Sequence, residues 1–349
     1  MTSSFINYRF RLTKIIYIGN KLSKKGATKT SIETLGNFLK EEGFDVVMAS
    51  SVKNKLLRLL HMLWSVLKNA RSADMVLIDT YSTQNFYFAT TVAQLCRMLR
   101  LPYVPILRGG NLPERIKSSR GASKKLFGGA FTNVAPSGYL MEAFRKEGYE
   151  KLTYIPNTIQ IDQYPFLLRK ELRPKLLWVR SFASLYNPIL ALEVLNDLIN
   201  KGYDASLTMV GPPKDESFSQ CNVYATQHHL PATFTGMLSK PAWSKLSEEH
   251  DIFINTTNFD NTPVSVIEAM ALGLPVVSTN VGGLPYLLSH DIDGILVEPN
   301  NKSAFVHAIE ALIKHPEKSE KMSVNAREKV ESFDWETVKE QWIRLLNRQ

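Results

Sequence analysis

Short apolar runs ended by glycine or a polar turn recur along this chain, and between them lie segments whose apolar residues return every three or four positions. The first run, KIIYIG from Lys14 to Gly19, is continuous enough to predict a strand buried on both faces. A loop carrying Gly26 follows, then a helical pattern from about Thr30 to Glu42. After Gly43, FDVVMAS predicts a second strand. MVLID, YVPIL and NVAPS continue the alternation. From Lys175 it starts afresh with KLLWV, a helix from Leu190 to Asn200, SLTMVG, a helix from about Lys240 to Glu249, DIFIN and PVVST. Strands alternating with helices predict an α/β protein of two Rossmann-like, doubly wound domains facing each other across a cleft. YIPNTIQIDQYPF, Tyr154 to Phe166, mixes prolines and polar residues between the two patterns and predicts the hinge. The domains then run over 1–165 and 166–334, with a terminal helix in FDWETVKEQWIRLL.

Composition changes this picture in one respect. The chain of 349 residues, 44% hydrophobic and 21% charged, has the balance of an ordinary two-domain globular protein. No apolar run approaches the roughly 18–20 residues that a spanning helix needs, and MTSSFINYRFRLTK lacks the apolar stretch of a secretory signal, so a cytoplasmic protein is expected. Two cysteines, Cys96 and Cys221, indicate no disulfide framework. The net charge of +9, however, is unevenly divided. Residues 1–165 hold 24 Lys and Arg against 11 Asp and Glu, a net of +13, and the remainder hold 18 against 22, a net of −4. The first domain therefore faces something anionic, for which nucleic acid, anionic lipid and a phosphorylated acceptor are candidates. Nucleic acid finds no support from aromatic stacking motifs or a recognised binding module. LLRLLHMLWSVLK, Leu56 to Lys68, is apolar on much of its circumference with Lys53, Lys55, Arg58 and Lys68 around it. It reads as a helix packed on the sheet, with a membrane-interface helix as the second reading.

The candidate chemistry concentrates in FDNTPVSVIEAMALGLPVVSTNVGGLPYL, which begins at Phe259. Pro263 suits the start of a helix, because it fixes φ and lacks the N–H that a first turn leaves unpaired. The helix Val264 to Leu272 is ended by Gly273, with Pro275 beyond. Its free first-turn amides around Thr262, Pro263, Val264 and Ser265 make an anion site of the kind a nucleoside diphosphate occupies. Glu268 lies one turn in, where its carboxylate can accept protons from both ribose hydroxyls. At Gly282-Gly283 a backbone without side chains can approach a ligand closely. Arg180 stands just beyond the strand KLLWV, where a guanidinium can fork onto a diphosphate; a plain surface arginine is the other reading. LRGGN, Leu107 to Asn111, puts Arg108 at the C-terminal edge of the first sheet, either recognising an anionic acceptor or capping strand carbonyls. Asp291-Ile292-Asp293 reads as a turn, and the seven histidines show no metal spacing.

The string from Asp260 to Gly283 resembles the donor-site signature of the family 4 glycosyltransferases, in which Glu-x7-Glu is followed by AMA-x-G-x-PVV and a Gly-Gly. The hinge is similar to the IPNG-V-D segment that joins the domains in that family. The resemblance implies a GT-B fold in which the first domain binds acceptor, the second binds a nucleotide-sugar, and the terminal helix 335–349 crosses back to the first domain on Trp335, Trp342 and Leu345. It implies retaining transfer of a sugar from a nucleoside-diphosphate sugar to an acceptor hydroxyl, on a glycan or lipid-linked acceptor in cell-surface polysaccharide or glycolipid synthesis. No metal or other cofactor is implied. In these terms Asp260 orients the sugar hydroxyls, Arg180 and Arg108 complete the catalytic set, and Glu268 holds the ribose. Gly26 belongs to the loop over the diphosphate. Gly236 and Leu238 hold the base with backbone groups, although a plain β-turn has the same sequence. Asp260 stands where the family has Glu, Arg108 where many members have His, and Leu185 and Tyr186 where a phosphate-binding Lys is usual. The other readings are a nucleotide-sugar 2-epimerase of the same fold and a non-catalytic nucleotide-sugar binder. A peripheral position at the inner face of the membrane would account for the basic domain.

Overall fold

The computed structural model describes residues 12–21 and 30–347. Among these residues twelve strands form two six-stranded sheets, every pairing parallel. The first holds β1 (Lys14–Ile18), β2 (Asp45–Ala49), β3 (Met75–Thr80), β4 (Tyr103–Leu107), β5 (Asn133–Ala135) and β6 (Leu152–Tyr154), in the order β2-β1-β3-β4-β5-β6. The second holds β7 (Lys175–Val179), β8 (Ser206–Val210), β9 (Ala232–Gly236), β10 (Ile252–Asn255), β11 (Val276–Thr279) and β12 (Ile295–Val297), in the order β12-β11-β10-β7-β8-β9. Helices cover both faces of each sheet, so central strands bury successive residues: all six of β3 and all five of β4 are buried. In the second sheet the strand period of two divides the core. Leu176, Trp178, Ile252 and Ile254 enter one apolar cluster, while Leu177, Phe253 and Val276 enter the cluster on the other face. The expected α/β architecture is the one observed.

Each sheet is the centre of its own compact unit, and the division falls at Tyr154 and Ile155, at the start of the expected hinge and ahead of the expected domain bound at 165. The reason lies in hydrogen bonds that bind 155–169 to the second unit. Ile159 bridges to Asp334, and the Ile161 N–H donates to Asp334 Oδ1 at 2.9 Å. The buried Arg169 guanidinium donates to the carbonyls of Leu167, Ser247, His250 and Leu272. Ser137–Tyr139 also groups with the second unit. The terminal helix Trp335–Leu346 is divided: through Glu340 it belongs to the second unit and from Gln341 to the first. Trp342 and Leu345 are buried as expected, but Trp335 belongs to the second unit, where its N–H donates to the Ile159 carbonyl at 2.9 Å.

Candidate functional site

In the second unit the site is assembled at the C-terminal ends of the strands, where open α/β sheets bind ligands. Arg180 follows β7, and its N–H donates to the Val210 carbonyl at 3.0 Å. A Cβ at Gly211 would collide with the Arg180 carbonyl, so a side chain there would displace the arginine. The guanidinium lies over the Tyr186 ring, 4.2 Å from its centroid, and pairs with the Asp260 carboxylate. Both side chains are 16% exposed, which overturns the reading of Arg180 as a surface residue. Burial holds Arg180 below the ordinary arginine value while Tyr186 opposes the shift. Tyr186, one of the two residues standing where a lysine is usual, thus supplies the face on which Arg180 rests.

Asp260 lies in the loop after β10, its Oδ1 accepting from the Asn261 N–H at 2.8 Å. Gly282 and Gly283 explain why that loop is held. A Cβ on Gly282 would strike the Asp260 carbonyl, one on Gly283 would strike the Asn261 carbonyl, and the Gly283 N–H donates to Asp260 at 2.9 Å. Within the protein, the close approach that calls for these glycines is by the Asp260–Asn261 backbone. Their bearing on the chemistry is indirect: they fix Asp260.

The helix Val264–Ala271 begins at Pro263, and its first backbone bond is from the Val266 N–H to the Pro263 carbonyl at 3.1 Å. The amides of Val264 and Ser265 precede that bond. Beside them the hydroxyls of Thr262 and Ser265 are buried and have no hydrogen-bond partner among the described residues. Amides and two unpaired hydroxyls at a helix N-terminus suit the oxygens of an anion. One turn on, Glu268 is buried, and its Oε1 accepts from Tyr164 Oη and from Lys240 Nζ, each at 2.6 Å. Tyr164 and Lys240 are absent from the sequence-derived site; separations of 104 and 28 residues from Glu268 carry no local signal. Gly236 ends β9 with φ +71 and accepts from the Gly211 N–H at 2.8 Å. Leu238 packs against the apolar cluster beneath.

Arg108 lies in the first unit, beyond β4. Its Nε donates to Asp79 Oδ1 at 3.1 Å, and Tyr17 Oη, also bonded to Asp79 at 2.9 Å, lies 3.4 Å from Nη2. With Asp79 it forms a buried ion pair. Burial works against the guanidinium, but Tyr17, Asp79 and Tyr81 together hold it above the ordinary arginine value. Gly26 lies outside the described residues. Asp293 accepts from the Ser289 N–H at 2.7 Å and pairs with Lys329 at 2.8 Å, the work of a turn. Among the described residues no group of three His, Cys, Asp or Glu is placed to hold a metal, and no helix is long and apolar enough to cross a membrane. The helix Lys55–Asn69 buries Met62 and Val66 on one face, while Leu56, Leu57, Leu60, Trp64 and Leu67 are each more than half exposed. It packs as expected and also presents an apolar stripe.

Residues 161–329 match the model of the glycosyl transferases group 1 family. The chain is 29% identical over 149 residues to the sulfoquinovosyl transferase SQD2 of Arabidopsis thaliana, covering 42% of this chain and 28% of that protein. It is 21% identical over 337 residues to spore coat protein SA of Bacillus subtilis, covering 89% and 83%. Of SQD2 and three further curated glycosyltransferases the chain spans only 28% to 38% of the length. Among solved structures, HepE of Anabaena in complex with UDP and glucose superposes with a TM-score of 0.77 at 18% identity, over 97% of this chain and 100% of that one. The architecture is that of GT-B proteins, and the matched domain coincides with the unit that holds Arg180, Asp260 and Glu268.

Proposed function

We propose that this chain, whose second unit carries a glycosyl transferases group 1 domain, moves a sugar from a nucleoside-diphosphate sugar to an acceptor hydroxyl with retention and without a metal. The observation that carries the reading is the Arg180–Asp260 pair on the sheet that also supports the helix bearing Glu268, whose N-terminus offers buried, unpartnered hydroxyls. The anomeric bond to the diphosphate breaks, the acceptor oxygen bonds the anomeric carbon, and the acceptor's proton passes to the departing diphosphate oxygen. The amides of 264 and 265, the Thr262 and Ser265 hydroxyls and Arg180 take up the charge that gathers on the departing diphosphate. Asp260 orients the sugar hydroxyls, Gly236 and Leu238 bound the base, and Glu268 holds the ribose. Because HepE is a UDP complex, UDP-sugars lead a mass-spectrometric screen that also includes GDP- and ADP-sugars. Free nucleoside diphosphate formed only when an acceptor is supplied would support transfer. Its formation without acceptor would count against the proposal, and interconversion of sugars would favour a 2-epimerase.

Glu268→Ala should weaken nucleotide binding by about ten- to a hundredfold, the cost of roughly 1.5–3 kcal/mol for a hydrogen bond to a charged group. Calorimetric titration giving the wild-type affinity would remove Glu268 from the site.

The acceptor reading is a glycan or lipid-linked hydroxyl at an anionic membrane surface. Support comes from the net +13 of residues 1–165 and from the stripe Leu56, Leu57, Leu60, Trp64 and Leu67, set in a stretch with no Asp or Glu between Asp45 and Asp74. Lys68 Nζ lies 4.9 Å from the Trp64 ring at the edge of the stripe. Binding should be tighter to vesicles containing anionic lipid and should fall with salt, because exposed charges are screened over about 8 Å at physiological ionic strength. Equal sedimentation with neutral and anionic vesicles would exclude the electrostatic part, and Leu60→Gln with Trp64→Gln retaining full binding would exclude the stripe.

A further inference from the structure

Glu268 is buried on a mostly apolar helix. Val266, Ile267, Ala269 and Met270 beside it on the helix are all buried and apolar. An ionised group in such a place needs partners, and both partners here meet the same oxygen. Tyr164 Oη and Lys240 Nζ each lie 2.6 Å from Oε1. A carboxylate oxygen has two lone-pair directions, so Oε1 is saturated and further donors are left with Oε2.

The two partners differ in how firmly they are held. Lys240 is 56% exposed on its side chain, and an ammonium on a flexible stem at that exposure is readily exchanged for water. Tyr164 is 2% exposed, and its backbone is fixed at several points. Its N–H closes onto the Ile161 carbonyl at 3.1 Å, and Ile161 is itself tied to Asp334. Arg327 Nη1 donates both to the Tyr164 carbonyl and to the Ala271 carbonyl, at 2.8 Å each. One guanidinium thus joins the segment carrying Tyr164 to the end of the helix carrying Glu268. Burial, and then the charge of Glu268, push the Tyr164 phenol above its ordinary range, so it keeps the proton that it donates to Glu268.

We infer that Tyr164 is a positioning residue which, by occupying Oε1, turns Oε2 of Glu268 toward the nucleoside and makes the site select ribose over 2′-deoxyribose. The inference rests on Glu268 being the ribose-binding carboxylate. Without the tyrosine hydroxyl the carboxylate can rotate, and a ribose hydroxyl meets an acceptor that is no longer aimed at it. A nucleotide lacking that hydroxyl loses nothing by the change.

The test is calorimetric titration of the full chain with UDP, GDP and ADP and their 2′-deoxy forms, taking the base that binds most tightly. Wild type should prefer the ribonucleotide by about tenfold or more. Tyr164→Phe should weaken the ribonucleotide about three- to tenfold and leave the deoxynucleotide within about twofold, so that the preference shrinks. Lys240→Met should leave the ratio of the two affinities within about threefold of wild type, whatever it does to each affinity alone. If Tyr164→Phe weakens both nucleotides equally, or neither, Tyr164 is structural and the inference is overturned. The same follows if Lys240→Met abolishes the preference while Tyr164→Phe keeps it. Glu268→Ala leaving the ribose preference intact, or wild type binding none of the six, would instead defeat the ribose reading of Glu268 itself.

Discussion

Asp260→Asn should lower kcat about a hundredfold while changing the donor KM far less. The replacement keeps the size but only one acceptor oxygen, so either the Asn261 N–H, which Oδ1 serves, or Arg180, which pairs with Oδ2, loses its acceptor along with the charge. A carboxylate that orients hydroxyls on the transferred sugar acts by placement, and misplacing a reacting group by about 1 Å can cost a hundredfold in rate. The structure adds a cost to the fold. Arg180, 16% exposed, would face a neutral amide in place of its counter-charge. Breaking a fully buried pair costs about 3–5 kcal/mol, and the remaining exposure of this pair reduces that, so a lowered melting temperature is expected without loss of folding. Asp260→Glu, which lengthens the acid by one methylene, should keep measurable turnover. An Asp260→Asn enzyme at the full rate in a transfer assay would mark Asp260 as a counter-ion for Arg180 and nothing more.

Arg180→Met should cost a comparable factor, about 10²–10³ in kcat, the range seen when one donor to a developing oxyanion is removed. Arg180→Lys separates charge from shape. It restores a cation for Asp260, yet a lysine has neither the planar fork nor the stacking surface that the Tyr186 ring supports. Its turnover should therefore stay at least about tenfold below wild type while its melting temperature recovers. Because the two residues touch, their effects should not add: the Asp260→Asn, Arg180→Met double variant should be little slower than the worse single variant. Fully multiplicative losses would show that each acts on the donor independently, and a wild-type rate in Arg180→Lys would reduce the role of Arg180 to charge alone.

The sequence by itself determined most of the strands and the helix after Pro263, because those signals are local, though not β6, whose Tyr154 reads as the start of the hinge. Continuous apolar runs such as those of β3 and β4 can be satisfied only by burial on both faces, and Pro263 and Gly273 bracket their helix through constraints that act on neighbouring residues. The helices Ser217–Gln227, Lys302–Lys314 and Pro316–Glu331 were not drawn from the pattern; Pro316–Glu331, rich in Glu and Lys, has only a thin buried stripe. What the sequence could not determine is which groups meet. Arg180 and Asp260 are recognisable as candidates, but their pairing depends on β7 and β10 lying side by side, and on Gly211, Gly282 and Gly283 letting backbones approach. Those glycines were legible as glycines, whereas the partner each one accommodates was not. Tyr164 and Lys240 reach one oxygen of Glu268 from distant points in the chain, and Arg108 spends its charge on Asp79 and Tyr17 of neighbouring strands. A period of two or of 3.6 reports which face a residue presents. The partner waiting on that face is chosen by strand order and burial, which only the tertiary structure decides.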